Sequence, residues 1–529
     1  MKTDPISFEV LRNAFISVAE EMGAALVRTA YSPNIKERRD CSAAVFDAKG
    51  QMVSQAEHIP VHLGAMPASV SAALKRFPPN QWDEGDVVIL NDPFEGGTHL
   101  PDITLLSPVV FENQVVGFVA NRAHHADIGG TTPGSMPGAS TEIFQEGLRI
   151  PPTKLFEHSQ RNDGLWELIR SNVRTPTERQ GDLYAQLAAN TTGVIRFTTI
   201  IKKYSQPVVL TFISDIQEYS RQRMLKEISK IPKGEFTFTD YLDDDGITTN
   251  PVPLAVKITI KSNQIIFDFS GSSHQTQGNV NAPFAVTLSC SYYVLRCITD
   301  PTIPVNAGCY SPLVVIAPHG SILNPHPPAA VSAGNVETAQ RIVDLLFGAL
   351  HPALPDRIPA ASQGTMNNLT IGGPIPKTED LFTFYETIGG GLGARPNADG
   401  LNGIHSHMTN TANTPIEALE TTYPLRVLRY RLMPRSGGVG KYHGGMGIRR
   451  DIEILANYAV VSIQSERRKF APWGLQGGRP GKRGRNSYWR NGKWNTLPGK
   501  VTFTATKGDI ISIQTPGGGG YGKRERAKS

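Results

Sequence analysis

Cysteine is scarce in this chain of 529 residues: Cys41, Cys290, Cys297 and Cys309 are the only four. Their scattered spacing fits neither a disulfide framework nor a Cys-x-x-Cys metal knuckle, so reduced, packed thiols are expected. No run approaches the ~20 apolar residues that span a bilayer. Met1 to Asp4 lacks the basic head and apolar middle of a secretory signal, so a soluble, cytoplasmic protein without a membrane partner is expected. Also missing are a Gly-x-x-x-x-Gly-Lys-Ser/Thr phosphate loop, a Gly-x-Gly-x-x-Gly fingerprint and a Gly-x-Ser-x-Gly nucleophile elbow. Neither nucleotide binding nor a serine nucleophile is signalled, and no nucleic-acid recognition module stands out.

What is present is a loop-rich globular composition, with 51 Gly and 39 Pro and a length that suits about three structural units. The formal charge of +6 is uneven. Residues 467–529 hold 15 Lys and Arg against two acids, which leaves 38 cations against 45 anions before them. A solvated basic face is the simplest reading.

Asp4-Pro5 caps a helical pattern running to about Ser32-Pro33, and short apolar runs follow at 42–46, 87–90, 103–111 and 115–120. Helical material is predicted near 165–203, 215–228, 282–297 and 336–350, with β-structure at 235–269, 448–463 and 486–513 and a hairpin turn at Asn491-Gly492. The fold class is α+β, with mixed helices and mainly antiparallel sheets in two or three interwoven subdomains. Its expected divisions are 1–205, 206–435 and 436–529.

The sharpest chemical signal is Gly96-Gly97-Thr98-His99-Leu100-Pro101-Asp102, followed by Asn121-Arg122-Ala123-His124-His125-Ala126-Asp127. A hairpin of 103–111 with 115–120 would return His124 to the sheet edge that holds His99 and Asp102. Two imidazoles with one or two carboxylates suit Zn, Mn or Fe. Strand alternation sends His124 and His125 to opposite faces, so only one need be a ligand. His58 and His62 are read as structural, with a pocket-lining role as the alternative, because Pro60 breaks the helix that would align them. For His405-Ser406-His407 a hydrogen-bonded loop is expected. Gly389–Gly393 and Gly437–Gly440 are read as turns.

At Arg28-Thr29-Ala30-Tyr31-Ser32, Glu37-Arg38-Arg39-Asp40-Cys41-Ser42, His58 to Gly64, Asn91-Asp92-Pro93, the His99/Asp102 loop, His124-His125 and His407-Met408-Thr409-Asn410-Thr411 the sequence resembles the hydantoinase B/oxoprolinase family. That resemblance implies a divalent metal (Zn, Mn or Fe) held by Asp40, His99, Asp102 and His124, with His125 or Asp127 beside it for proton transfer or ligand orientation. It implies the hydrolytic B subunit of an ATP-dependent enzyme that opens hydantoins, 5-oxoproline or other lactams. ATP and Mg are then expected on a hydantoinase A-type partner, making a hetero-oligomer. A carboxylase related to the acetone carboxylase large subunit is the nearest rival, and a closed structural metal site is the non-enzymatic one.

Overall fold

A computed structural model describes residues 3–56, 59–378 and 380–524. The chain opens on α1 (Pro5–Thr29), capped as expected by Asp4, whose carboxylate accepts the N–H groups of Ile6 and Ser7. A single turn, α2 (Pro33–Lys36), leads into β1 (Cys41–Asp47) and β2 (Met52–Gln55), and α3 (His62–Arg76) follows. Then come β3 (Val87–Leu90), β4 (Asp102–Phe111), β5 (Gln114–His124), β6 (Thr153–Glu157) and β7 (Gln160–Arg161). These seven strands form one sheet in the order β2-β1-β5-β4-β3-β6-β7, and every pairing in it is antiparallel.

The sheet is buried on both faces, and alternate residues of β1 enter different cores. Cys41, Ala43 and Val45 pack with α1 and with the helices α5 (Pro176–Tyr204) and α6 (Gln206–Ser229), whereas Ala44 and Phe46 join Met66, Val70 and Ala73 of α3. Phe15 of α1 meets Phe197 of α5 edge-on at 5.0 Å and stacks on Phe212 of α6 at 5.7 Å, which clamps the three helices together. The helical stretch predicted at 165–203 is two helices, because Pro176 can begin a helix but cannot continue the preceding Asp163–Ser171, which is α4.

Three further sheets complete an α+β architecture. One joins Leu313–Ile316, Ile265–Asp268, Val252–Ile260 and Gly234–Leu242, with a parallel pair at its edge. Asn368–Pro374 and Leu381–Glu386 pair with Tyr458–Gln464 and Lys500–Thr506 in the next, and the last has five strands within 425–514. In it Asn491 and Gly492, both at positive φ, turn Arg485–Arg490 into Lys493–Leu497, as the sequence predicts. The central helix Ala339–Leu350 is buried along its whole length and is entered through a π-turn, Gly334–Thr338. No helix among the described residues is long and apolar enough to cross a membrane.

The glycine clusters are packing devices. A side chain on Gly391 would meet Gly445 O at 2.0 Å and Gly518 N at 2.3 Å, so three glycine-rich loops approach backbone to backbone.

Candidate metal centre

Asp102 opens β4 and His124 closes β5, and the antiparallel register sets them directly opposite each other. Paired residues share a face, and this one is the face covered by α3, since the adjacent Arg122 reaches Ser69 Oγ of that helix at 2.6 Å. His99 arrives from the preceding loop. That loop turns at Gly96, whose φ of 89° and 2.4 Å clearance from Ala68 O exclude a side chain. Asn91 pins the loop: its amide donates to the carbonyls of Leu100 and Leu148, and its oxygen accepts the Ile150 N–H.

Three ligand atoms then converge. His99 Nε2 lies 3.2 Å from His124 Nδ1, His124 Nδ1 lies 3.2 Å from Asp102 Oδ1, and His99 Nε2 lies 3.2 Å from the same oxygen. The centre of such a triangle is about 1.85 Å (3.2 Å divided by √3) from each corner, just inside the ~2.0–2.2 Å of a Zn–N or Zn–O bond. One divalent cation would be within reach of all three. Among the described residues this is the one cluster of His, Cys, Asp and Glu with such convergence.

The surroundings favour a cation. Burial alone would raise the Asp102 carboxyl, but the imidazoles of His99, His124 and His62 outweigh it and hold it well below its usual range. Burial lowers His124, keeping it neutral and able to donate a lone pair. Asp102 Oδ2 is held by Thr98 Oγ1 at 2.5 Å and approached by His62 Nε2 at 3.7 Å. Ser42 Oγ, which accepts the Ile59 N–H, lies 2.8 Å from His62 Nδ1. Its own proton is thus available to that nitrogen, leaving the ring proton on Nε2, toward Asp102.

Asp40 borders the same cavity, opposite Tyr385 and Thr409. It stands outside the tight triangle, but its backbone carbonyl accepts the His124 N–H at 3.0 Å, which joins the two positions through the sheet. The cavity has about 20 Å³ of free space, room for one or two waters.

His125 and Asp127 do not border that cavity. Alternation along β5 turns His125 to the α5 face, where Nε2 lies 2.9 Å from Gln186 Oε1, and burial lowers it to about 4. The Asp127 carboxylate accepts from the backbone of Gly129, Gly134 and Arg174 and from the Arg174 guanidinium, an arrangement that anchors the long loop. Cys41, next to Asp40, is buried and its thiol is pushed up to about 12, as fits packing.

His62, read from sequence as structural, faces Asp102 because it is the first residue of α3 rather than part of an extended loop. His58 lies outside the described residues. The 405–407 segment is the expected hydrogen-bonded loop, its Ser406 carbonyl accepting from the Gln340 amide at 2.9 Å and His407 Nε2 lying 3.4 Å from Asp344, while both ring nitrogens of His405 are buried without a partner among the described residues. No motif or periodicity points to Tyr385, whose ring stacks on His124 at 4.4 Å and 14°. The Arg38 guanidinium lies 4.8 Å from the Tyr385 ring centre and bonds to Asn34, to Tyr385 O and to the hydroxyls of Thr387 and Thr411. This ties residues 385–411 to the histidine.

A family model described as hydantoinase B/oxoprolinase matches residues 4–524. An uncharacterized protein of Methanocaldococcus jannaschii is 44% identical, over 98% of this chain and 91% of its own. A 5-oxoprolinase of Dictyostelium discoideum is 40% identical over 99% of this chain but only 40% of its own length, so the chain spans about two fifths of that relative. The crystal structure of an ATP-dependent caprolactamase from Pseudomonas jessenii superposes with a TM-score of 0.91 at 26% identity, covering 99% of this chain and 92% of that one.

Proposed function

From the premise that the chain belongs to the hydantoinase B/oxoprolinase family, we propose that it is the metal-dependent hydrolytic subunit of an ATP-dependent enzyme that opens cyclic amides. The observation that carries this reading is the triangle of His99, Asp102 and His124 in a water-sized buried cavity. Hydantoins, 5-oxoproline and other lactams are the substrate class.

An amide carbon is a weak electrophile. Phosphorylation of its oxygen by ATP would activate it, and that step is assigned to a hydantoinase A-type partner carrying ATP and Mg. Two observations support the division: this chain carries no phosphate loop, and the Dictyostelium 5-oxoprolinase devotes about three fifths of its length to other sequence. Water adding to the activated ring carbon then opens the C–N bond as the nitrogen takes up a proton, which leaves an acyl phosphate, and a second water releases phosphate as the carboxylate forms. We place this complex in the cytoplasm, in keeping with four free cysteines.

Asp40, His99, Asp102 and His124 would hold a divalent ion such as Zn, Mn or Fe. That ion would supply Lewis acidity and a water acidified to a pKa of ~7. The chain's own residues do the rest. His62 and Thr98 fix the second oxygen of Asp102, Tyr385 holds the plane of His124, and the closed walls limit how many waters reach the reacting carbon.

The test is reconstitution with the ATP-dependent partner, assaying ring opening of hydantoin, 5-oxoproline and caprolactam with and without a chelator. ATP-dependent opening lost on chelation and restored by metal supports the reading. Bicarbonate-dependent ketone consumption in its place would transfer the site to the carboxylase reaction. Full activity in metal-free protein would overturn the metal's role.

A further inference from the structure

A larger cavity, of about 550 Å³, lies beside the water-sized one. Its volume falls in the ~300–1,000 Å³ typical of small-molecule sites. The partition between the two is one residue deep. Ile59 borders both; Pro60 and Leu63 face the large cavity, Val61 and His62 the small one. On the other side Asn410 faces the large cavity and Met408 and Thr409 the small one. The two segments are joined where Val61 N–H donates to Met408 O at 3.3 Å.

The large cavity has an apolar floor of Ile59, Pro60, Leu63 and Tyr293, and two guanidinium groups, Arg296 and Arg357, on its wall. Arg296 donates to the carbonyls of Asp300 and Pro301 and forms no ion pair among the described residues, which leaves its charge without a counter-ion there. The exposed Arg357 side chain makes no hydrogen bond or ion pair among the described residues. An apolar slot with uncompensated positive charge is matched to a flat ring that carries an anion, and a guanidinium fork fits a carboxylate in two-point contact.

We propose that this cavity receives the substrate, with Ile59 and residues 408–410 as the doorway to the His99–Asp102–His124 cluster, and that it selects cyclic amides bearing a carboxylate, recognised by Arg357 with Arg296 behind it. The identity of the ring rests on the hydrolytic reading above; the preference for an anion does not.

The test uses the metal-loaded full complex and two probes, a five-membered cyclic amide with a ring carboxylate and the same ring without it. Binding is read by calorimetry and ring opening by steady-state kinetics, in wild type and in Arg357→Gln, which is exposed and leaves packing intact. The wild type is expected to prefer the acidic ring. Arg357→Gln raises KM for that ring roughly tenfold to a hundredfold, as for one lost charge-assisted hydrogen bond, with kcat and the neutral ring little changed. Ile59→Trp, which plugs the doorway, lowers turnover of both rings while metal content stays at the wild-type level.

Equal binding of the two rings, or no change in Arg357→Gln and in the double variant Arg296→Gln/Arg357→Gln, overturns the proposal and leaves the hydrolytic reading standing. Carboxylate-dependent binding that disappears in Arg357→Gln, in a complex that opens neither ring, would sustain the pocket and remove the hydrolytic reading.

Discussion

The cluster around Arg467 and the cluster around Asp102 are both buried and both charged, yet they settle their charges in opposite ways. Around Arg467 every charge has an opposite charge in reach. Arg467 meets Asp344 at 2.5 Å and Asp240 at 3.3 Å, Arg341 meets Glu466 at 3.2 Å, and Lys500 meets Glu466 at 2.6 Å. This closed network ties the strand Gly234–Leu242 and the helix Ala339–Leu350 to the C-terminal sheets. Around Asp102 no lysine or arginine forms an ion pair with the carboxylate among the described residues. Instead three imidazoles surround it, and lone pairs on His99, His124 and Asp102 point at one place. A closed network stabilises and orients; an open one leaves coordination capacity for an ion from outside.

The largest expected effect that sharpens the contrast is loss of a ligand. His99→Ala or His124→Ala should remove the ion and lower turnover by ~10³-fold or more, read by metal analysis and by the ring-opening assay on the same sample. Thermal melting should move less than in the next variant. Arg467→Ala leaves Asp344 and Asp240 buried without their main cation and should destabilise by ~3–5 kcal/mol, seen as a lower melting temperature. Its metal content per folded molecule should remain that of wild type; joint loss of metal and stability would erase the distinction between the two regions.

Glu337 lies between the clusters. One oxygen accepts from Asn368, which accepts from the Tyr385 hydroxyl, and Glu466 acts on it from the other side. Burial raises its carboxyl from 4.5 to about 7. The folded chain therefore keeps a proton that the unfolded chain releases, and this contribution, present in full below pH 4.5, is lost as pH rises through about 7. Glu337→Gln should gain on wild type by an amount on the order of 3 kcal/mol between those limits, so the gap in melting temperature should widen from pH 5 to pH 8. A gap that does not change with pH would mean that Glu337 is ionised in the fold. The smallest effect is expected from His62→Gln, which leaves the triangle intact and should weaken metal binding by ~10–100-fold, measured by chelator competition.

Much of the region around Asp102 was legible in the sequence because it is local. The His99-x-x-Asp102 spacing, the hairpin of β4 and β5 and the alternation at His124-His125 are short-range facts, and β-pairing turns them into a three-dimensional site. What depends on distant chain was not legible. Tyr385 reaches the small cavity and Asn410 the large one, and Arg38 meets Tyr385, only through packing between segments hundreds of residues apart; Arg38 and Asn410 stood out only as members of the family stretches, and no periodicity encodes that meeting. For His62 the pocket-lining alternative fits the structure better than the purely structural reading: Pro60 does exclude a helix across 58–62, but a helix starting at His62 places the imidazole on the site. The closed network was invisible, because nothing local marks Asp240, Asp344 and Glu466 as partners and Arg467 falls in the stretch read as a solvated basic face.

The central claim is that His99, Asp102 and His124 share one ion. X-ray absorption at the metal edge, with elemental analysis of the same purified wild-type and His124→Ala samples, tests it most directly. We predict about one divalent ion per chain, bound by nitrogen and oxygen with two imidazole signatures, and its loss in the variant. An ion with sulfur ligands, or one retained in full by His124→Ala, would contradict it.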